Sequence, residues 1–75
     1  METVYIVQTF SAGKRGKVVA DRALTFKTAD EAKRRAEKLS ASVLGVLAFA
    51  QTADADAGEY LDPVELARFG EVPEM

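Results

Sequence analysis

The segment 27–50, KTADEAKRRAEKLSASVLGVLAFA, decides the fold because it places a capped helix directly before an apolar strand. Thr28 and Glu31 have the spacing of a capping box, in which each side chain accepts a hydrogen bond from the other residue's backbone N–H. Because most of the apolar stripe that follows is alanine, the helix can lie close to the surface that it covers. The stripe has helical spacing and consists of Ala29, Ala32, Ala36, Leu39 and Val43.

The run 43–50, VLGVLAFA, is apolar at successive positions and shows no polar alternation. A short run of this composition is typical of a strand that is buried on both faces. Gly45 disfavours a helix here and indicates that another part of the backbone approaches closely. We therefore expect this run to be the central strand of a sheet.

Two further strands are predicted before the helix, at about residues 3–10 and 17–26, TVYIVQTF and KVVADRALTF. Both are rich in the β-branched and aromatic residues that suit a pleated surface. The connecting sequence SAGKRGK contains Gly13 and Gly16, which can adopt positive φ and turn the chain. The two strands are therefore expected to form a hairpin.

The segment 62–70 is compatible with two structures. Asp62 as N-cap, Pro63 at the first helical position and Gly70 as a stop signal together predict a two-turn helix. The same segment can be an edge strand beside the third strand, because proline is tolerated at a sheet edge. The strand is slightly favoured, since a central third strand needs a neighbour on each side.

These elements predict one α+β domain over residues 1–75, with the element order ββαβ and then a final strand or short helix. The expected sheet is antiparallel, with strand order 2-1-3, or 2-1-3-4 if the last element is a strand. One helix packs on one face of this sheet, and a right-handed connection delivers the third strand beside the first. Residues 70–75 are expected to form a loose tail.

A single helix leaves the second face of the sheet without a covering layer. Because side chains alternate along a strand, Tyr5 and Val7 point away from Val4 and Ile6, and the third strand is apolar on both sides. A second subunit or the folded-back tail would cover the remaining apolar face. We therefore expect a small protein–protein interaction or regulatory module that forms a homodimer. The candidate interaction face consists of Tyr5, Val7, Leu44 and Val46.

The composition argues against an enzyme. The chain has 75 residues, with neither cysteine nor histidine, and so lacks a disulfide, a thiolate ligand and the commonest general base. We expect no catalytic residue, no metal site and no cofactor. The first residues, METVYIVQTF, lack the basic start and apolar core of a signal peptide, and we expect a cytoplasmic protein that is not bound to a membrane.

The charges are divided unevenly along the chain. Residues 1–42 carry nine basic and five acidic side chains, a net +4, whereas residues 43–75 carry one and seven, a net −6. On the helix, Asp30–Arg34, Glu31–Arg35 and Lys33–Glu37 are spaced to form ion pairs. The basic residues also support an alternative function, weak nucleic-acid binding through the hairpin tip and the helix. The candidate contacts are Lys14, Arg15, Lys17, Lys33, Arg34, Arg35 and Lys38.

The acidic stretch 51–63, QTADADAGEYLDP, raises the question of a calcium loop. An EF-hand loop that starts at Asp54 would have Asp56 at position 3, but Gly58 would fall at position 5 instead of 6. Position 5 would then have no side-chain ligand, and calcium requires six to eight oxygen ligands. Calcium binding is therefore not expected, and the stretch is interpreted as an acidic turn.

Three segments together, VYIVQTF, FKTADEAKRRAEKL and GEYLDPVELARFGEVP, carry a resemblance over nearly the whole chain. They resemble a group of small bacterial single-domain proteins that have no assigned function. The resemblance implies a stand-alone cytoplasmic domain and no particular ligand. The segment YIVQTFS is also similar to the first strand of SPOR domains, which bind peptidoglycan, but there the helix follows the first strand directly.

Overall fold

The structure is a computed structural model and describes residues 2–54 and 56–72. It contains one helix, α1 (Ala29–Leu39), within these residues. The strands are β1 (Glu2–Ala12), β2 (Val18–Phe26), β3 (Gly45–Asp54), β4 (Glu59–Tyr60) and β5 (Val64–Gly70).

All strand pairs that the structure describes are antiparallel, and the sheet order is β2-β1-β3-β4, with β5 also paired to β3. The predicted α+β class, the order 2-1-3 and the central position of the third strand are confirmed. The ambiguous segment 62–70 is a strand from Val64 onwards and pairs with β3 as expected for an edge. The short β4 was not predicted from the sequence.

β4 and β5 lie along one side of β3 and are separated by residues 61–63. Glu59 and Tyr60 pair with the end of β3, and Val64–Gly70 pairs with its first half. The connection stays attached to β3, because the Leu61 N–H donates to the Thr52 carbonyl at 2.9 Å. Asp62 and Pro63, predicted to start a helix, lie in this connection between the two strands.

The predicted N-cap of the helix is confirmed. Thr28 is the N-cap, and its Oγ1 accepts a hydrogen bond from the Glu31 N–H at 3.2 Å. Ala32 and Ala36 are fully buried and pack in one cluster with Val7, Val46 and Ala48 of the sheet. The small side chains allow α1 to lie close to β1 and β3, and this contact forms the core.

The predicted interaction face is wrong, because it lies on the side of the sheet that α1 covers. Val7 and Val46 are fully buried in the core under α1, and Tyr5 packs against the same core. Leu44 precedes β3 and is exposed. Alternation along a strand shows which residues share a face, but both faces of these strands are apolar, and nothing in the pattern identifies the face that the helix covers.

The opposite side of the sheet is called the open face below. Residues paired across antiparallel strands share a face, so the register puts Val4, Ile6 and Phe10 of β1 on the open face with Leu47 and Phe49 of β3. No helix among residues 2–54 and 56–72 lies on this side of the sheet, since α1 packs on the other.

Backbone after β5 crosses one end of the open face. Gly70 adopts φ +69°, and the Glu71 N–H then donates to the Leu44 carbonyl at 3.1 Å. A Cβ at Gly45 would overlap the Glu71 carbonyl, so the close backbone approach predicted at Gly45 is confirmed. Of the tail predicted to be loose, residues 70 and 71 are therefore attached to the start of β3, and residues 73–75 lie outside the described part of the chain.

Candidate interaction surfaces

The open face has an apolar row at its centre. Val4 is 43% exposed, Ile6 and Phe49 are half-buried, and Ile6 pairs directly with Phe49 across β1 and β3. Phe10 and Leu47, nearer the crossing backbone of Glu71, are buried. The exposed part of the apolar row is therefore Val4, Ile6 and Phe49.

Several uncharged side chains lie beside this row. The register puts Thr25 opposite Ile6, Ala23 and Leu47 opposite Gln8, and Gln51 opposite Val4. Gln51 Nε2 donates to the Leu61 carbonyl at 2.7 Å, so the connection between β4 and β5 borders the open face. A recess of about 130 Å³ lies beside it, lined by Leu47, Phe49, Pro63, Glu65 and Arg68.

One ion pair lies at the edge of the open face. Arg68 Nε and Glu65 Oε1 are 2.7 Å apart, and both side chains are about half exposed. These two residues pair with Leu47 and Phe49 in the register. The edge beside the apolar row therefore carries one positive and one negative charge.

A second surface is the groove between α1 and β2, called the α1–β2 groove below. It contains two adjoining cavities of about 350 and 180 Å³, and Arg35 lines both. The apolar residues of its lining are Leu24, Phe26, Leu39 and Val43, and the basic ones are Arg22, Arg34, Arg35 and Lys38. Asp21 and Glu31 are the acidic residues of the same lining.

The predicted ion pairs along the helix are not formed. Among the residues that the structure describes, Glu65–Arg68 is the ion pair with an N–O distance within 4.0 Å. Arg34 and Arg35 therefore make no such pair with Asp30 and Glu31. Both arginines line the groove beside Phe26 instead.

The basic residues suspected of binding nucleic acid are divided between two places. Arg34, Arg35 and Lys38 line the α1–β2 groove. Lys14 and Arg15 lie in a 3-10 turn at the hairpin tip, followed by Lys17, and these three are not part of the groove lining. Lys33 is exposed on α1 and does not line the groove either.

Sequence inspection missed Arg22 and Phe26 as members of the groove. The sheet register shifts between Gln8 and Phe10, and two residues of β2, Asp21 and Arg22, fall in this irregularity. The backbone N–H of Arg22 donates to Thr9 Oγ1 at 3.1 Å, and Gln8 Nε2 donates to the Arg22 carbonyl at 3.1 Å. The sequence does show two adjacent charged residues, Asp21 and Arg22, that interrupt the apolar pattern of the strand.

The acidic stretch 51–63 is a turn between β3 and β4. Asp54 Oδ1 accepts hydrogen bonds from the N–H groups of Asp56 and Ala57, at 3.1 and 3.3 Å, and Gly58 adopts φ +67°. This carboxylate thus holds the turn in the way that Asx side chains commonly do. Within residues 2–54 and 56–72, no group of three or more acidic side chains is placed to hold a metal ion.

No helix in residues 2–54 and 56–72 has the length and apolar character needed to span a membrane. Comparisons with models of known protein families, with curated proteins and with solved structures found no match. The resemblance to small bacterial proteins and to SPOR domains therefore stays a prediction from the sequence.

Proposed function

We propose that this chain is a non-enzymatic protein-interaction module that forms a homodimer through its open face. The observation that carries the proposal is the exposed apolar row of Val4, Ile6 and Phe49 on the side of the sheet opposite α1. A small domain with one helix on its sheet has a thin core, and a second subunit is a common way to add stability.

The charges around the row support a second copy of the same chain as the partner. A two-fold interface brings the same patch of both subunits together, so a patch of net charge would repel its copy. Thr25, Gln8 and Gln51 beside the row are neutral, and Glu2 at the end of β1 adds one negative charge on the same face. Glu65 and Arg68 at the edge carry opposite charges, so Glu65 of each copy can face Arg68 of the other.

The absence of histidine and cysteine from the sequence supports a function without catalysis. Both residues are common in acid–base and nucleophilic catalysis. Nucleic-acid binding has weaker support than self-association, because the hairpin tip and the groove hold the candidate cations in separate places. A cytoplasmic location belongs to the same proposal.

A matched pair of valines tests the dimer. Val4 on the open face and Val19 on β2 are 43% and 44% exposed, and the register pairs Val19 with Ser11, on the side of β1 opposite to Val4. Val4→Asp places a charge in the proposed interface, whereas Val19→Asp makes the same change outside it. Sedimentation equilibrium of the full chain should give twice the chain mass for the unmodified protein and for Val19→Asp, but a single chain mass for Val4→Asp.

Two results would overturn the proposal. One is a single chain mass for the unmodified protein at all concentrations up to the millimolar range. The other is an unchanged dimer mass in Val4→Asp, which would place the interface on another surface. Circular dichroism of both variants verifies that the sheet is formed before the masses are compared.

A further inference from the structure

The outer edge of β2 is available to pair with another strand. β2 is the first strand in the sheet order, and β1 is its only partner among the described strands. Along a strand, the backbone N–H and C=O of successive residues point alternately to its two sides. The backbone of Arg22 faces β1, so the groups of Ala23 and Thr25 point outwards from the sheet.

The α1–β2 groove lies directly beside this edge. The side chains of Leu24 and Phe26 line it from β2, and Arg34, Arg35 and Lys38 line it from the helix. A strand added to β2 would therefore place every second side chain over an apolar floor and next to basic groups. This combination of a free strand edge and a side-chain groove is the geometry of peptide recognition by strand addition.

The net positive charge of the groove lining favours an acidic peptide. Four basic residues and two acidic ones line the two cavities. Arg34, Arg35 and Lys38 form no ion pair within the part of the chain that the structure describes. Carboxylates of an incoming strand would give them charge-assisted hydrogen bonds, and arginine can bind a carboxylate through two parallel bonds.

We propose that the α1–β2 groove binds an extended acidic peptide segment of a partner protein, which adds to β2 as an antiparallel or parallel strand. A peptide fits better than a nucleic acid for two reasons. The free backbone groups of Ala23 and Thr25 match a peptide backbone, which carries both donors and acceptors, and a sugar–phosphate chain has no such ladder. In addition, Asp21 and Glu31 in the lining would repel a continuous row of phosphates.

This binding site is separate from the open face and does not depend on the dimer. Arg35 lines both cavities of the groove. Val4 lies on the face of the sheet opposite α1. Variants at these two positions therefore distinguish the two surfaces.

The first test measures binding of a fluorescein-labelled heptapeptide of alternating glutamate and valine to the full chain by fluorescence anisotropy. Arg35→Glu should weaken binding about tenfold or more, since it replaces a charge-assisted hydrogen bond by repulsion. Lys33→Glu is the matched control, because it makes the same charge change on α1 outside the groove lining, and it should change the affinity by less than about twofold.

The second test concerns the backbone. Two further forms of the heptapeptide, N-methylated at all glutamates or at all valines, keep its charges, but each lacks the N–H donors along one edge of the strand. The form that is methylated on the edge facing β2 should lose at least about tenfold in affinity, and the other form should bind like the unmodified peptide. Ala23→Pro removes an outward backbone donor from β2 and should weaken the unmodified peptide as well. Because proline is tolerated where a strand edge faces solvent, we expect the variant to fold, and circular dichroism checks this.

Several outcomes would overturn this proposal. Equal affinity for the unmodified peptide and for both methylated forms would exclude strand addition, even if Ala23→Pro failed to fold. An equal loss of peptide affinity in Arg35→Glu and Lys33→Glu would indicate general charge attraction. A loss of peptide affinity in Val4→Asp alone would place the peptide on the open face. The groove would be a nucleic-acid site if an oligouridylate bound more tightly than the peptide. Its affinity would then have to fall steeply with salt and be lost in Arg35→Glu.

Discussion

The two faces of the sheet are built from the same strands and are both apolar, yet they are used differently. On the covered face, Val7 and Val46 meet the alanines of α1 and are fully buried. On the open face, Ile6 and Phe49 are partners across β1 and β3 but remain half-buried. The difference lies in what packs on each face, because the strands supply apolar side chains to both.

The covering of the open face is also of a different kind. The covered face has a helix with small side chains along its contact stripe. Within the described residues, backbone lies near two ends of the open face, from Glu71 over Gly45 and from the connection beside Gln51. Backbone at the edges leaves the centre exposed, and this exposed centre is the surface that we propose as the dimer interface.

The largest effect on stability is expected from a substitution at Gly45, where the backbone of Glu71 covers the open face. In Gly45→Ala the new Cβ would overlap the Glu71 carbonyl, so the backbone of residues 70–72 must move away. We expect a loss of about 3 kcal/mol in the free energy of unfolding, measured by urea denaturation.

Gly16→Ala is the control for this prediction. Gly16 adopts φ +75° in the hairpin turn, and a Cβ there would meet nothing within 4 Å. Its cost should be that of the backbone conformation alone, about 1 kcal/mol. Equal losses in the two variants would show that Glu71 does not constrain Gly45.

The next prediction compares the stability cost of truncating one valine on each face. Val46→Ala removes two methyl groups from a fully buried site and leaves a cavity, so it should lower the free energy of unfolding by about 2–3 kcal/mol. Val4→Ala removes the same groups from a side chain that is 43% exposed, and should cost less than about 1 kcal/mol in the dissociated chain. Urea denaturation at low protein concentration measures both, and a reversed order would contradict the assignment of the two faces.

The smallest effect is expected from adding calcium, at the acidic turn that joins β3 to β4. The Asp54 carboxylate already accepts two backbone hydrogen bonds, and Gly58 is out of register for an EF-hand loop. Addition of millimolar calcium should leave the NMR resonances of Asp54 and Asp56 unchanged. Saturable shifts of both residues would show that the turn binds calcium.

Local sequence signals predicted most of the fold. The Thr28–Glu31 cap located the start of α1, and the unbroken apolar run located the central strand. The segment 62–70 was less certain, because Asp62, Pro63 and Gly70 fit both a helix and an edge strand. β3 settles the choice, because its free side gives a strand partner to six residues of Val64–Gly70, all except Leu66. This long-range pairing outweighs the weak preference of a short helix.

The surfaces were harder to predict, because they depend on relations between distant residues. Alternation grouped Tyr5 with Val7 correctly but did not indicate which side the helix would cover. The α1–β2 groove unites Arg22, Phe26 and Arg35, which come from two elements and meet only after the helix has packed. The expected helix ion pairs gave no hint of it, since the spacing of charges does not determine whether side chains pair with each other or point into a groove.

The most direct test of the central claim follows the methyl groups of both faces by NMR as the protein is diluted. If the open face forms the dimer, the methyl resonances of Val4 and Ile6 shift with concentration, whereas those of Val7 and Val46, buried under α1, stay constant. Sedimentation of the same samples gives the mass at each concentration. A change of mass without shifts at Val4 and Ile6, or a single chain mass throughout, would contradict the claim that the open face is an interface.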